Sequence, residues 1–179
     1  MPIDVGSAFP VDVVVQAPRG PVSIGKLAGT GPLIVAFHRM WCPFCQQAAR
    51  ELLAAKAQFD ALGAKVVIVY RENADTVQRS CAERGISFDC LSDSERKLEQ
   101  AADVERFSLR RYLSFSPAKA VRALRSGSRI GAGADFLQGR GTFVIDRTGR
   151  VAYAHRGVNA ADIPSIGEIL DAVRALTEG

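Results

Sequence analysis

The chain has 179 residues, 47% of them hydrophobic and 23% charged, enough for one compact domain with a buried core and too little for two ordinary ones. That composition excludes a disordered chain and a coiled coil. A net charge of +4, from 23 basic and 19 acidic side chains shared between both halves, gives nucleic acid little to recognise, so a nucleic-acid partner is not expected.

Residues 11–15 predict a first strand, and residues 33–37, after Gly31 and Pro32, a short buried one. This apolar run falls far below the roughly 18 residues needed to span a bilayer. The start of the chain, with Pro2 and Asp4 and no basic cluster ahead of an apolar core, does not read as a secretory signal, and a cytoplasmic location is expected. After 33–37 comes Cys42-Pro43-Phe44-Cys45, and then a helical pattern. Phe44, Ala48, Leu52, Phe59 and Leu62 recur at one or two helical turns, with Arg50, Glu51, Lys56 and Asp60 between them and Gly63 as the stop.

Residues 65–70 predict a second buried strand, and Asn73 caps a helix running to about residue 84, stopped by Gly85. Residues 86–91 predict another strand, and Ser92 and Asp93 open a short helix through Ala102. Between residues 105 and 130 lie Arg106, Arg110, Arg111, Lys119, Arg122, Arg125 and Arg129 against a single acid, Glu105. With Ser116-Pro117 followed by Val121 and Leu124, this stretch reads as a short amphipathic helix with a solvated basic face; the competing reading is a surface for an acidic partner. Residues 142–146 and 151–155 flank Arg147-Thr148-Gly149 as a hairpin, and residues 162–176 form a last helix with Ile166, Ile169, Leu170 and Val173 on one face. The order is α/β with mixed strand directions. No repeat or linker divides residues 1–179, which are read as a single domain with a basic helical insertion at about 105–138.

The four cysteines, Cys42, Cys45, Cys81 and Cys90, are too few for a disulfide-stapled scaffold. Cys42 and Cys45 sit where a strand hands over to a helix, and the first helical turn offers unpaired N–H groups and a partial positive charge to an anion. A free thiol is only about 3% ionised at neutral pH, whereas at a helix terminus its pKa falls to roughly 3.5–7.5. Cys42, at the cap behind Trp41, is expected to be the more exposed sulfur and the attacking thiolate, with Cys45 one turn inward to close a disulfide. Pro43 suits the first helical position. The competing readings are an inert reduced pair and half of a metal site; Cys81 and Cys90 lie too far apart in sequence for the second tight pair that zinc requires, and no metal is expected.

Gly6-Ser7-Ala8-Phe9-Pro10, the segment from Pro21 to Leu27, Trp41-Cys42-Pro43-Phe44-Cys45 and the run from Gly141 to Gly149 occur in the order found in peroxiredoxin-like AhpC/TSA proteins, which the chain resembles over nearly its whole length. The resemblance implies a thioredoxin-like, three-layer α/β sandwich with a central mixed sheet. It also implies peroxide reduction or thiol–disulfide exchange without metal or organic cofactor, and a thioredoxin-type or low-molecular-weight thiol as reductant. A redox-active disulfide between Cys42 and Cys45 completes that cycle. The insertion resembles one that partly covers the cleft in such proteins. Peroxiredoxins carry Pro-x-x-x-Thr-x-x-Cys around the reactive cysteine; aligning on Cys45 puts His38 and Cys42 at the Pro and Thr positions, and aligning on Cys42 puts Val35 and Arg39 there. Either cysteine therefore remains open as the peroxide-reactive one. The arginine expected on the strand after the hairpin falls at Ala152.

Trp41, Pro43, Arg140 and Thr142 are the residues expected to border the substrate. Arg140 lies just before Thr142, the position expected to face the CxxC, where it can lower a thiolate pKa or hold a peroxide oxygen; the competing reading is a solvated loop arginine. His38 reads as a packed imidazole with a local hydrogen bond, or as a proton relay, and His155 as structural or exposed. Cys81 and Cys90 read as small buried hydrophobes, with extra resolving thiols as the alternative. Two further functions stay open: exchange with protein or small-molecule disulfides, and a non-catalytic binding domain. The sequence leaves homodimer formation open as well.

Overall fold

A computed structural model describes residues 3–104, 117–127, 140–158 and 161–179. Strands β1 (Val14–Ala17) and β2 (Gly20–Ser23) form a hairpin, followed by α1 (Ile24–Ala28). The central strand β3 (Leu33–Phe37) leads to α2 (Pro43–Ala54) and α3 (Lys56–Ala61), then β4 (Lys65–Tyr70) and α4 (Ala74–Glu83). After β5 (Asp89–Ser92) come α5 (Lys97–Ala101), α6 (Pro117–Arg125), β6 (Gly141–Ile145), β7 (Val151–Arg156) and α7 (Ile166–Thr177). Among the described residues the strands make one seven-stranded sheet in the order β2-β1-β5-β4-β3-β6-β7. β3, β4 and β5 run parallel, while β6 is antiparallel to both β3 and β7.

Alternation along the inner strands divides the core into layers. Leu33, Val35, Phe37, Val67, Val69, Phe143 and Ile145 pack on one face with Phe9, Ile24, Leu27 and Leu98. Ile34, Ala36, Val66 and Val144 pack on the other with Leu52, Phe59, Ile169, Leu170 and Val173 from α2, α3 and α7. Each such side chain, fully removed from water, contributes about 1.5–3 kcal/mol. Helices thus cover both faces of the sheet, which is the thioredoxin-like three-layer sandwich.

Several boundaries move from their expected places, each for a local reason. The alternation at Val11, Val13 and Val15 does face the core, but ladder pairing starts only at Val14, because the Val11 N–H turns back to the Phe9 carbonyl at 2.8 Å. The helix expected through residues 44–62 is broken at Ala55, which ends α2 and starts α3. The strand expected at 86–91 starts at Asp89: Gly85 takes φ +65° and the Ile86 N–H donates to the Cys81 carbonyl at 3.0 Å, so Ile86 belongs to the end of α4. Ser92 lies in β5, and Asp93 caps α5 from a distance, accepting the N–H groups of Leu98 and Glu99 at 3.2 and 2.8 Å. The last helix begins at Ile166, where Ser165 Oγ accepts the Glu168 N–H; Pro164 precedes that cap and Asp162 stays outside the helix.

The basic insertion expected at about 105–138 lies mostly outside the described residues; within it α6 carries exposed Lys119, Arg122 and Arg125. Asn73 does cap α4, its Oδ1 accepting the Thr76 N–H at 2.9 Å. Asn73→Ala is expected to destabilise the fold by about 1 kcal/mol, measured as a lower urea midpoint at unchanged slope.

Candidate active site

The antiparallel pairing of β6 with β3 builds the site. Phe37, the last residue of β3, lies opposite Gly141, the first of β6, so the chain entering β6 passes beside the chain leaving β3 and delivers Arg140 to the CxxC. Cys42 is the N-cap of α2, with Pro43 at the first helical position and Cys45 one turn on. Arg140 is buried, not solvated. Its Nη1 lies 3.7 Å from Cys45 Sγ and its Nη2 donates to the Asp162 carbonyl at 3.0 Å. The Arg39 backbone N–H donates to Cys45 Sγ at 3.3 Å.

Both sulfurs are buried, Cys42 at 2% and Cys45 at 1% exposure, so exposure barely separates them. Ala123 of α6, together with Phe44 and Ala161, packs over them. Charge distinguishes the pair instead. The Cys45 thiol donates a hydrogen bond to Cys42, and this outweighs burial to hold the Cys42 thiol well below the usual range, with help from the Arg140 and Arg39 guanidinium groups. Burial, followed by the same hydrogen bond and the neighbouring Cys42 charge, pushes the Cys45 thiol well above it. The surroundings therefore favour negative charge on Cys42 and the proton on Cys45. When Cys45 gives up its proton, the Arg39 N–H and Arg140 Nη1 are already aimed at its sulfur.

His38 is fully enclosed, and burial, reinforced by Arg140, lowers its pKa to about 3. It is a neutral imidazole throughout the physiological range. The local hydrogen bond expected of it is absent at Nδ1, which has no partner among the described residues. Thr142 lies between Ala36 on β3 and His155 on β7. With Phe37, His38, Arg140, His155 and Asp162 it lines a cavity of about 20 Å³, room for about one water molecule. Asp162 ties this wall together, its carboxylate meeting His155 Nε2 at 3.1 Å and accepting the Val158 N–H at 2.8 Å. Trp41 is 41% exposed beneath the Arg84 guanidinium, which lies 5.4 Å from the ring centroid.

The structure brings Cys42, Cys45 and Arg140 together, with Pro43 at the helix start, while Thr142 lines the neighbouring cavity with Arg140 and Trp41 lies exposed beside Cys42. Arg39 and Asp162 are members of the site that sequence reasoning misses. Arg39 acts partly through its backbone, which carries no sequence signature, and Asp162 falls within the span expected for the last helix. Cys81 and Cys90, buried as expected, are also brought together. Among the described residues, no group of three or more His, Cys, Asp or Glu side chains is placed to hold a metal ion, and no helix is long and apolar enough to cross a membrane.

No curated protein sequence matches the chain. Among solved structures it is similar to a mutant form of PrxQ from Xylella fastidiosa, with a TM-score of 0.72 at 20% identity over 98% of each chain. The peroxidoxin BcpB of Mycobacterium tuberculosis gives 0.70 at 18% identity, covering 97% of this chain and 98% of its own. Peroxiredoxin Q of Xanthomonas campestris gives 0.68 at 20%, covering 96% and 97%. These likenesses show the shared fold. The model of the AhpC/TSA family matches residues 5–154. With the CxxC at the end of the central strand of a thioredoxin-like sheet, the chain belongs to the AhpC/TSA family of thiol-dependent oxidoreductases.

Proposed function

We propose that the chain reduces hydroperoxides through a Cys42 thiolate, sulfenate and Cys42–Cys45 disulfide cycle. The Cys42 thiolate attacks the distal oxygen of the hydroperoxide; the O–O bond breaks and the alcohol or water leaves with a proton. Cys45 then loses its proton and attacks the sulfenic sulfur, the S–S bond forms and water departs. A thioredoxin-type or low-molecular-weight thiol returns two electrons to the disulfide. Arg140 and the Arg39 N–H stabilise the negative charge that moves between the two sulfurs. Trp41, Pro43 and Thr142 border the substrate, and a reducing compartment, the cytoplasm, suits four free thiols.

The observation that carries this reading is the guanidinium of Arg140 at 3.7 Å from Cys45 Sγ, beside a buried pair whose surroundings favour charge on Cys42. The test is the second-order rate at which the reduced protein consumes hydrogen peroxide, compared with a small thiol at matched thiolate concentration. A rate at least a hundredfold above the small thiol is expected. Equality with the small thiol would withdraw hydrogen peroxide and move the same CxxC to disulfide substrates.

Because the Cys42 pKa is depressed, the rate is expected to stay level across neutral pH and to fall only in acid, as the thiolate takes up a proton. A free thiol instead gains rate up to about pH 8.5. Arg140→Met removes a charge that favours the thiolate, so the acid limb moves to higher pH. On the acid limb, below both pKa values, the rate is expected to drop about tenfold, the effect of roughly one pKa unit, with little change on the plateau, as read from the pH profiles of the two proteins.

A further inference from the structure

The proposed cycle leaves two thiols unused. Cys81 on α4 and Cys90 on β5 are 4% and 1% exposed and share one cluster with Met40, Ala49, Ile68, Tyr70 and Val77. Parallel pairing sets Cys90 opposite Ile68, and α4 is fixed over β5 by Gln78, whose Nε2 donates to the Cys90 carbonyl at 2.8 Å. The two thiols consequently hydrogen-bond to each other.

Polar groups act on the pair as well as its apolar neighbours. The Tyr70 hydroxyl, on a side chain only 2% exposed, donates to Cys81, and the Arg84 charge favours the ionised form of both thiols. The Cys90 hydrogen bond, followed by Tyr70 and Arg84, brings the Cys81 thiol below its ordinary range against burial and the Glu72 charge. Cys90 is pushed up by Cys81 and by burial. The division of charge repeats that of Cys42 and Cys45.

We propose that Cys81 and Cys90 are a second redox-active dithiol, closed to a disulfide by a low-molecular-weight hydroperoxide. The Cys81 thiolate attacks the distal peroxide oxygen, the O–O bond breaks, and the alcohol or water leaves after taking one proton. Cys90 then attacks the Cys81 sulfenic sulfur, forming the S–S bond and releasing water. Two electrons pass from the two sulfurs to one peroxide. Each chain therefore accepts two peroxide equivalents, one at each pair.

The test uses the Cys42→Ser/Cys45→Ser protein, which lacks the first pair, treated with hydrogen peroxide. Trypsin cleavage after Arg79, Arg84 and Arg96 puts Cys81 and Cys90 on separate peptides, so their disulfide is read directly by non-reducing mass spectrometry. One peroxide consumed, both thiols lost and the two peptides joined is the expected result, with at least threefold slower closure in the same background carrying Tyr70→Phe. Both thiols remaining open to alkylation under peroxide that fully oxidises the wild-type CxxC would overturn the proposal. The wild-type protein gives a check free of folding effects: joining of Cys81 to Cys42 or Cys45 in place of Cys90 would equally overturn it. Since the double variant contains neither Cys42 nor Cys45, its failure leaves the proposed CxxC cycle standing.

Discussion

Cys42→Ser is expected to slow peroxide consumption by at least about a thousandfold, because a hydroxyl in place of the thiolate removes the nucleophile and leaves binding alone. Cys45→Ser is expected to keep the first step and lose the second. One equivalent of peroxide is consumed, the protein gains one oxygen atom at Cys42, and turnover with a thiol reductant slows. Stopped-flow consumption together with intact mass separates these steps. The opposite pattern, consumption surviving at Cys42→Ser and vanishing at Cys45→Ser, would reverse the roles. The arrangement that would then matter is the pair of donors already aimed at Cys45, the Arg39 N–H at 3.3 Å and Arg140 Nη1 at 3.7 Å.

Acid is expected to destabilise the fold through His38. Its pKa is about 3 in the folded protein against 6.5 for an unperturbed imidazole, so between these values the unfolded chain binds a proton that the folded chain refuses. Stability is at its full level above pH 6.5 and declines as pH falls, at about 1.4 kcal/mol per pH unit for one proton. The loss reaches about 3 kcal/mol by about pH 4.5. Burial is the main cause and the Arg140 charge the second. His38→Leu, similar in bulk and without a titrating ring, is expected to flatten the decline between about pH 6.5 and 4.5 in urea unfolding. A variant as pH-sensitive as the parent would assign the loss to other groups.

The sequence made β4 legible to the residue, because an uninterrupted apolar run between a loop glycine and an Asn cap leaves one placement. It failed at β5, where Ile86 looks like strand and is held by the carbonyl of Cys81: a glycine in the left-handed region extends the hold of a helix beyond its last periodic residue. At the site, the CxxC was visible because its chemistry is local, set by a strand end and a helix start. Arg140 was visible only as a neighbour of Thr142; its burial follows from the β3–β6 register, which no local pattern encodes. The meeting of Cys81 and Cys90 has the same origin. One lies on a helix and the other on a strand, and only the packing of α4 on the sheet brings their sulfurs into contact.

The cover over the thiols also acts as a size filter. Among the described residues of α6 only Ala123 is buried, and the Arg50 Nη2 to Ser126 Oγ hydrogen bond at 2.7 Å secures the end of that helix to α2. A methyl contributes about 0.8 kcal/mol and a hydrogen bond about 1 kcal/mol, so these two contacts each add modestly to the hold of α6 on α2. A bulky alkylating reagent must wait for α6 to lift, and its rate is the intrinsic rate multiplied by the open fraction. Access to the buried thiolate is thus graded by the dimensions of the visitor before any chemistry begins.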